Sequence, residues 1–410
     1  MLEADAATRY GFEKVTGQGD AVFSWDERLT AAMPAEAKKY EKDLHGGFAE
    51  DAKTNKVYTG IPGVGLFEIS PDLTTWRKIG SDGRLLDNIH GLTVFEHDGR
   101  TTLALAQNDA QRVLLVGLDG IVQQELCRPR GGEFAHDEAN AYYSERRASS
   151  APKIFCCTDV CYLDGKLYVA TGYSEGDFVL TASPASSKST TTWAWGGGGA
   201  SGEGVAWGGK GDRGGQFRTA HGIFAHGGHV YVANREAYQV IKFTKHGQLV
   251  EVLPEIPVGA RICNVAYAER HAFFVMNALA PLGGAGGLPS TPNRTAPIYV
   301  HSGAELLSTV DAGALGIPVS ARTRSGVGSG CAHVGCQALS GSLPTLLTPH
   351  CRTPHASRLS RSHNSSRLTH LSRISGAQAH SSRAPALRPT RRALPAGARL
   401  AGWQVCCAEA

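Results

Sequence analysis

The chain has 410 residues, 42% of them hydrophobic and 8% aromatic, and its 50 glycines with only 19% charged residues favour many tight turns over long surface helices. The net charge of +4 is uneven, because residues 319–410 hold twelve Arg and one acidic residue, which leaves the first 318 residues mildly acidic. The composition excludes a wholly disordered protein, and the absence of a long apolar run or of an apolar leader in MLEADAATRY predicts a soluble protein without a membrane span, cytoplasmic by default.

Residues 1–43 form an N-terminal segment ahead of the first repeat. AVFSW (21–25) is typical of a short strand, and AEAKKYEKDL (35–44) predicts a short helix. We expect this segment to contribute to closure of the domain that follows.

Residues 44–318 contain five copies of one pattern, a polar residue before an apolar strand, a glycine turn, and a second alternating strand. The clearest copy is TAHGIFAHGGHVYVANREAYQVIKFTKHGQLVEVL (219–253), and a unit of about forty residues fits one four-stranded propeller blade. The equivalent first positions are His45, His90, Asp159, His221 and Asn264.

Side-chain period and turn chemistry support this interpretation. Val230 and Val232 alternate with their neighbours as in a strand buried on both faces, and pairs such as Asp98–Gly99 supply the positive φ that hairpin turns need. The long segments 127–154 and 183–211 are predicted to be loops. We therefore predict an all-β propeller with five recognisable blades of an original six, the sixth being lost after Pro318.

The segments NIHGL, TGY, GQFRTAHGI and VYVANRE resemble NHL-repeat propellers, most closely the six-bladed peptidyl-α-hydroxyglycine amidating lyases. The resemblance covers residues 88–275 well, 44–87 loosely and the C-terminal part not at all. It implies an axial site for a small-molecule or peptide ligand, where a C–N bond is cleaved.

The resemblance also implies roles for four residues. His90 and His221 match two zinc-binding histidines, so zinc is the expected cofactor. Tyr173 matches the base that takes the substrate's hydroxyl proton, and Arg235 matches a residue that holds a carboxylate. Three features depart from the family pattern: no sixth blade supplies a third histidine, no arginine stands at VYTG (57–60), and Ser174 replaces a cysteine.

Each of these residues also has a purely structural interpretation. The two histidines would tie the starts of neighbouring blades together, Tyr173 would pack between blades, and Arg235 would pair with Glu236 or Asp212. The alternative is thus a non-catalytic, monomeric propeller that binds a protein or small ligand through its loop face. The five cysteines of the first 318 residues are odd in number and lack the regular spacing of a disulfide-bonded framework, which favours reduced thiols.

Residues 319–410 are rich in Arg, Ser and Ala and show no strand or helix period, which predicts disorder. One interpretation is a nucleic-acid-binding arm; the other, which we favour, is translation of GC-rich DNA in a foreign frame, so we do not expect a nucleic-acid partner. Cys331, Cys336, His350 and Cys351 lack the paired spacing of a zinc cluster.

Overall fold

A computed structural model describes residues 15–18, 21–24, 28–39, 47–129, 155–174, 176–185, 192–195, 206–253, 260–268, 271–279, 298–303 and 305–310. These residues form an all-β, five-bladed propeller. The region around Pro318 where the sixth blade is predicted to be lost, all of residues 311–410, and the first repeat position, His45, lie outside the described residues.

Each blade is an antiparallel sheet whose four consecutive strands pair in chain order. Blade 1 contains β3 (Phe48–Asp51), β4 (Lys56–Ile61), β5 (Gly65–Ile69) and β6 (Trp76–Ile79). Blade 2 contains β7 (Gly91–His97), β8 (Arg100–Gln107), β9 (Arg112–Gly117) and β10 (Val122–Cys127). Blade 3 contains β11 (Asp159–Leu163), β12 (Lys166–Ala170), β13 (Phe178–Ala185) and β14 (Thr192–Trp195), with β15 (Ala206–Gly208) also pairing with β13. Blade 4 contains β16 (Ala220–His226), β17 (His229–Asn234), β18 (Gln239–Thr244) and β19 (Leu249–Val252); blade 5 contains β20 (Ala260–Ala268), β21 (His271–Leu279), β22 (Ile298–Ser302) and β23 (Glu305–Val310).

The first strand of each blade lies innermost, and these strands follow one another around the axis: β3 contacts β7, β7 contacts β11, β11 contacts β16, and β16 contacts β20. Because side chains alternate along a strand, each sheet buries apolar groups on both faces. In β8, Leu103 and Leu105 pack towards blade 1, whereas Ala104 and Ala106 pack towards blade 3. The core of the protein is therefore a series of layers between blades, and the chain must bring the blade starts together at the centre.

The N-terminal segment lies between the first and last blades. Strands β1 (Val15–Gln18) and β2 (Ala21–Ser24) form a hairpin that contacts β23 of blade 5. Two short helical turns follow, Arg28–Ala31 and Ala35–Lys38. Met33, in the link between them, and Ala37 pack with Phe67 of blade 1. The predicted strand is confirmed, whereas the helix predicted over residues 35–44 ends at Lys38 within the described residues.

The prediction that residues 183–211 are a loop is wrong for the part that the structure describes. Strand β13 runs to Ala185, and β14 and β15 both pair with it. Two tryptophans explain these strands: Trp193 is buried against blade 2 and exchanges backbone hydrogen bonds with the Gln124 side chain, and Trp207 packs on Phe243. Most of the other predicted loop, 127–154, lies outside the described residues. In the described part of the chain no helix is long and apolar enough to cross a membrane.

Candidate functional site

Two histidines stand at the starts of inner strands and are almost fully buried. His90 precedes β7, and its Nδ1 lies 2.6 Å from the carbonyl oxygen of Thr158 in blade 3. His221 lies in β16, and its Nδ1 lies 2.9 Å from the carbonyl oxygen of Cys263 in blade 5. A carbonyl only accepts, so in both rings Nδ1 carries the hydrogen, and Nε2 of the neutral ring carries the lone pair.

A glycine follows each histidine because the next blade approaches too closely for a side chain. A Cβ on Gly91 would lie 2.2 Å from Oδ1 of Asp159, and one on Gly222 would lie 2.5 Å from Oδ1 of Asn264. His90–Gly91 and His221–Gly222 thus mark two places where the starts of neighbouring blades lie in close contact.

The equivalent positions in blades 3 and 5 use their side chains differently. Oδ1 of Asp159 accepts from the backbone N–H of Val160, and Oδ2 accepts from that of Ile223 in blade 4. Asn264 repeats only the first of these bonds, to Val265. Burial raises the pKa of Asp159 to about 8. Asp159 therefore ties the start of blade 3 to blade 4, whereas this Asn264 bond stays within its own strand.

The four residues predicted for the site lie together. The ring centroids of His90 and His221 are 5.1 Å apart, and the Tyr173 ring lies 5.2 Å from the first and 5.3 Å from the second. The Tyr173 hydroxyl lies 2.7 Å from Nε2 of His221 and accepts a 2.8 Å hydrogen bond from Nη1 of Arg235. Three blades thus supply one compact polar cluster.

The direction of the hydrogen bonds follows from the histidine tautomer. Since Nδ1 of His221 donates to Cys263, its Nε2 accepts, and the Tyr173 hydroxyl is the donor. The same hydroxyl oxygen accepts from Arg235, whose charge lies beside the phenol. This arrangement draws the hydroxyl proton towards His221 and stabilises negative charge on the oxygen.

Arg235 is held in place by its sequence neighbour. It begins a short 3-10 turn after β17, and its Nε and Nη2 both donate to Oε1 of Glu236. The other pairing considered for it, with Asp212, is not formed, since that carboxylate pairs with Arg218. The side chain of Arg235 is 13% exposed, so it can reach a ligand that enters from the solvent.

The ring nitrogens of His90 and His221 resemble the donors of a zinc site. The hydrogen bonds at Nδ1 fix both rings through backbone carbonyls, as in metal-ligating histidines, and leave Nε2 as the ligating atom of each. Within the described residues, however, no group of three or more His, Cys, Asp or Glu could hold a metal ion. The pair therefore fits zinc only as two of the three protein ligands that catalytic sites use.

Two residues of the site were missed from the sequence. Thr158 joins three blades, because its carbonyl accepts from His90 and its Oγ1 donates to the carbonyl of Ala220. Asp177 lies four residues after Tyr173, is buried, and accepts from the backbone of Thr219 and Ala220. The partners of both residues are distant in sequence, and no local pattern marks them.

The cysteines of the described residues form no disulfide with one another, and all but Cys127 are buried. Ser174, which stands where the resemblance implies a cysteine, accepts a 2.6 Å hydrogen bond from the backbone N–H of Cys156. A hydroxyl thus fastens the Tyr173 loop to the start of blade 3.

No protein-family model and no curated protein matches the chain. Among solved structures, it is similar to a crystal structure of a nidogen/laminin complex, with 12% identity over 72% of this chain and 92% of that chain (TM-score 0.42). It is also similar to a crystal structure of a protein of unknown function from Bacteroides caccae, with 10% identity over 65% and 81% of the two chains (TM-score 0.38). Similarities at this level carry no argument about function.

Proposed function

We propose that the axial cluster is a lyase-like site that cleaves the C–N bond of a small α-hydroxylated amide bearing a carboxylate. The observation that supports this proposal is the convergence of a phenol, two imidazoles and a guanidinium on one buried point. Acid–base groups within hydrogen-bond reach of each other and an anion-binding group are what such a reaction needs.

Tyr173 would act as a phenolate, having lost its own proton to solvent before the reaction, and would accept the substrate's hydroxyl proton and then pass it on. As that O–H bond breaks, its electron pair forms the carbonyl of an aldehyde acid, the C–N bond breaks, and the amide nitrogen takes up the proton. Arg235 supports this role because it already donates to the phenol oxygen and stabilises its anionic form.

Arg235 would also orient the substrate. A guanidinium binds a carboxylate through two parallel hydrogen bonds, but here Glu236 occupies Nε and Nη2. A substrate carboxylate would therefore bind at the exposed edge of Arg235 or displace Glu236.

His90 and His221 would hold zinc through their Nε2 atoms, and a bound zinc ion would make the substrate hydroxyl more acidic. Nε2 of His221 has one lone pair, so it cannot serve Tyr173 and a metal together. Holding zinc therefore requires that the phenol turn away from His221 towards the substrate while it keeps Arg235 as its donor.

The test is glyoxylate release from α-hydroxyhippurate by the full chain, together with metal analysis. We expect release with stoichiometric zinc, a loss of at least about 100-fold in Tyr173→Phe, and loss of zinc in the double variant His90→Ala/His221→Ala. The matched control is Tyr168→Phe, a buried phenol that donates to the carbonyl of Lys245 away from the site. No glyoxylate above background, or release that survives Tyr173→Phe, would exclude this chemistry.

A second candidate is a non-catalytic propeller that binds a protein or small ligand through its loop face. The observation that favours it is that Nδ1 of both histidines ties one blade to the next, which is a structural role. If this is the function, His90→Ala lowers the melting temperature of a chain that contains no zinc and releases no glyoxylate.

A further inference from the structure

The loop that carries Tyr173 is closed at its base by Thr171 and Phe178. The backbone N–H of Thr171 donates to the carbonyl of Phe178 at 2.9 Å, and the N–H of Phe178 donates to Oγ1 of Thr171 at 2.9 Å. The residue before Phe178 is Asp177, whose side chain is 1% exposed. A buried carboxylate in this place needs partners that offset the loss of water.

The partners of Asp177 belong to the next blade. Its Oδ2 accepts from the backbone N–H of Thr219, and its Oδ1 accepts from that of Ala220 at 2.8 Å. Thr219 has φ of +88°, a backbone conformation that a β-branched residue rarely adopts. A strained residue of this kind persists only where its surroundings hold it, and such residues cluster at functional sites.

This short segment positions the other members of the cluster. The carbonyl of Thr219 accepts from the backbone N–H of Arg235 at 2.9 Å, and His221 comes directly after Ala220. The carbonyl of Ala220 accepts in turn from the backbone N–H of Gly172, the residue before Tyr173. Asp177 therefore bonds to a segment that precedes His221 directly and is hydrogen-bonded to Arg235 and to the neighbour of Tyr173.

We propose that Asp177 is a positioning residue that holds Thr219 in its strained conformation and fixes Ala220 beside it, and so aligns His221, Arg235 and Tyr173. This inference deepens the proposed function and rests on it for the identity of the ligand. Lys210 and Arg235 are the charged groups that act on the carboxylate. Burial raises the pKa of Asp177 to about 6, although the two backbone hydrogen bonds act in the opposite direction and lower it. The anionic form, which accepts both N–H groups, therefore prevails at neutral pH.

The experiment compares Asp177→Asn with the wild-type full chain in two measurements. One is the affinity for hippurate, a carboxylate probe without the reactive hydroxyl, by calorimetry; the other is amide hydrogen exchange. An asparagine would place an NH₂ group against one backbone N–H, so we expect roughly a tenfold loss of affinity and faster exchange at residues 219–221. The matched control is Asp51→Asn, which removes a buried carboxylate that caps a turn in blade 1, and it leaves both measurements unchanged.

A second background separates positioning from a general loss of stability. Glycine adopts positive φ without strain, so Thr219→Gly reduces the need for the Asp177 carboxylate, and Asp177→Asn costs less affinity in that background than in the wild type. Equal losses in both backgrounds, or faster exchange with unchanged affinity, would overturn the inference. If the wild-type chain does not bind hippurate, the proposed function is wrong. The role of Asp177 is then decided by the amide exchange rates and by the ring resonances of His221. If Asp177→Asn changes neither of these, the positioning role is overturned.

Discussion

Replacing the glycine after His90 tests whether the blade starts are pressed together as the structure indicates. In Gly91→Ala the new Cβ would lie 2.2 Å from Oδ1 and 2.7 Å from Cα of Asp159, where ordinary contact begins at 3.4 Å. The inner strands of blades 2 and 3 must therefore separate by roughly 1 Å. A shift of that size would stretch the 2.6 Å bond between His90 and the Thr158 carbonyl beyond hydrogen-bonding distance.

The expected cost combines overpacking with the lost hydrogen bond. Overpacking of a close contact costs about 1–3 kcal/mol in the free energy of unfolding, equivalent to a fall of roughly 2–12 °C in melting temperature for a domain of this size. Thermal and urea unfolding of the full chain would measure it. The matched control is Gly83→Ala, because a Cβ there meets nothing within 4 Å.

The result should repeat in blade 4. Gly222→Ala would bring a Cβ within 2.6 Å of the Cys263 carbonyl oxygen, which is the partner of His221. If both variants unfold at the same temperature as Gly83→Ala, the blade starts do not press on one another, and the geometry argued for the histidines is wrong.

Three further predictions concern single side chains. Tyr173→Phe should raise the affinity of the full chain for zinc about two- to tenfold in a metal titration, because a hydrogen bond worth ~0.5–1.5 kcal/mol no longer competes for Nε2 of His221. The control Tyr168→Phe should leave the zinc affinity unchanged. If Tyr173→Phe binds zinc as tightly as the wild type, the phenol and the metal do not compete. His301 is buried, its ring nitrogens have no hydrogen-bond partner among the described residues, and burial lowers its pKa. The unfolded chain therefore binds more protons at this group, and the free energy of unfolding falls as the pH drops below about 6.5. In urea unfolding, His301→Leu should reduce this fall at acidic pH. An unchanged pH dependence would contradict the role given to His301. The pH dependence of stability has the opposite sign for Asp159. Because its pKa is raised to about 8 in the folded state, its contribution to stability is lost as the pH rises from about 4 to about 8. Asp159→Asn should remove this slope, and parallel pH profiles for variant and wild type would refute it.

Local chemistry explains why the blades could be predicted from the sequence. Alternating apolar residues such as Val230 and Val232, and Gly turns such as Asp98–Gly99, act within a few residues, so each hairpin is visible in the sequence. The repeat then places His90 and His221 at equivalent positions, and a ring of blades brings them together. The zinc, the reaction and the roles of the four site residues stay predictions.

The parts that could not be predicted depend on distant partners. Strand β15 follows a Gly-rich segment, and only its pairing with β13 and the packing of Trp207 make it a strand. Asp177 lies in a polar loop where an aspartate is ordinary, and its meaning comes from a backbone segment of the next blade. The sequence of blade 3 alone therefore does not reveal the partners of Asp177 in blade 4.

The hairpin β1–β2 is synthesised before the five blades, yet it contacts β23, which lies roughly 280 residues later in the chain. A nascent chain emerging from the ribosome therefore carries these two strands without their partner until almost the whole propeller has been made. Contacts of such high sequence separation slow folding and prolong the exposure of unpaired strand edges. The timing of translation thus sets how long β1 and β2 can associate with other nascent chains.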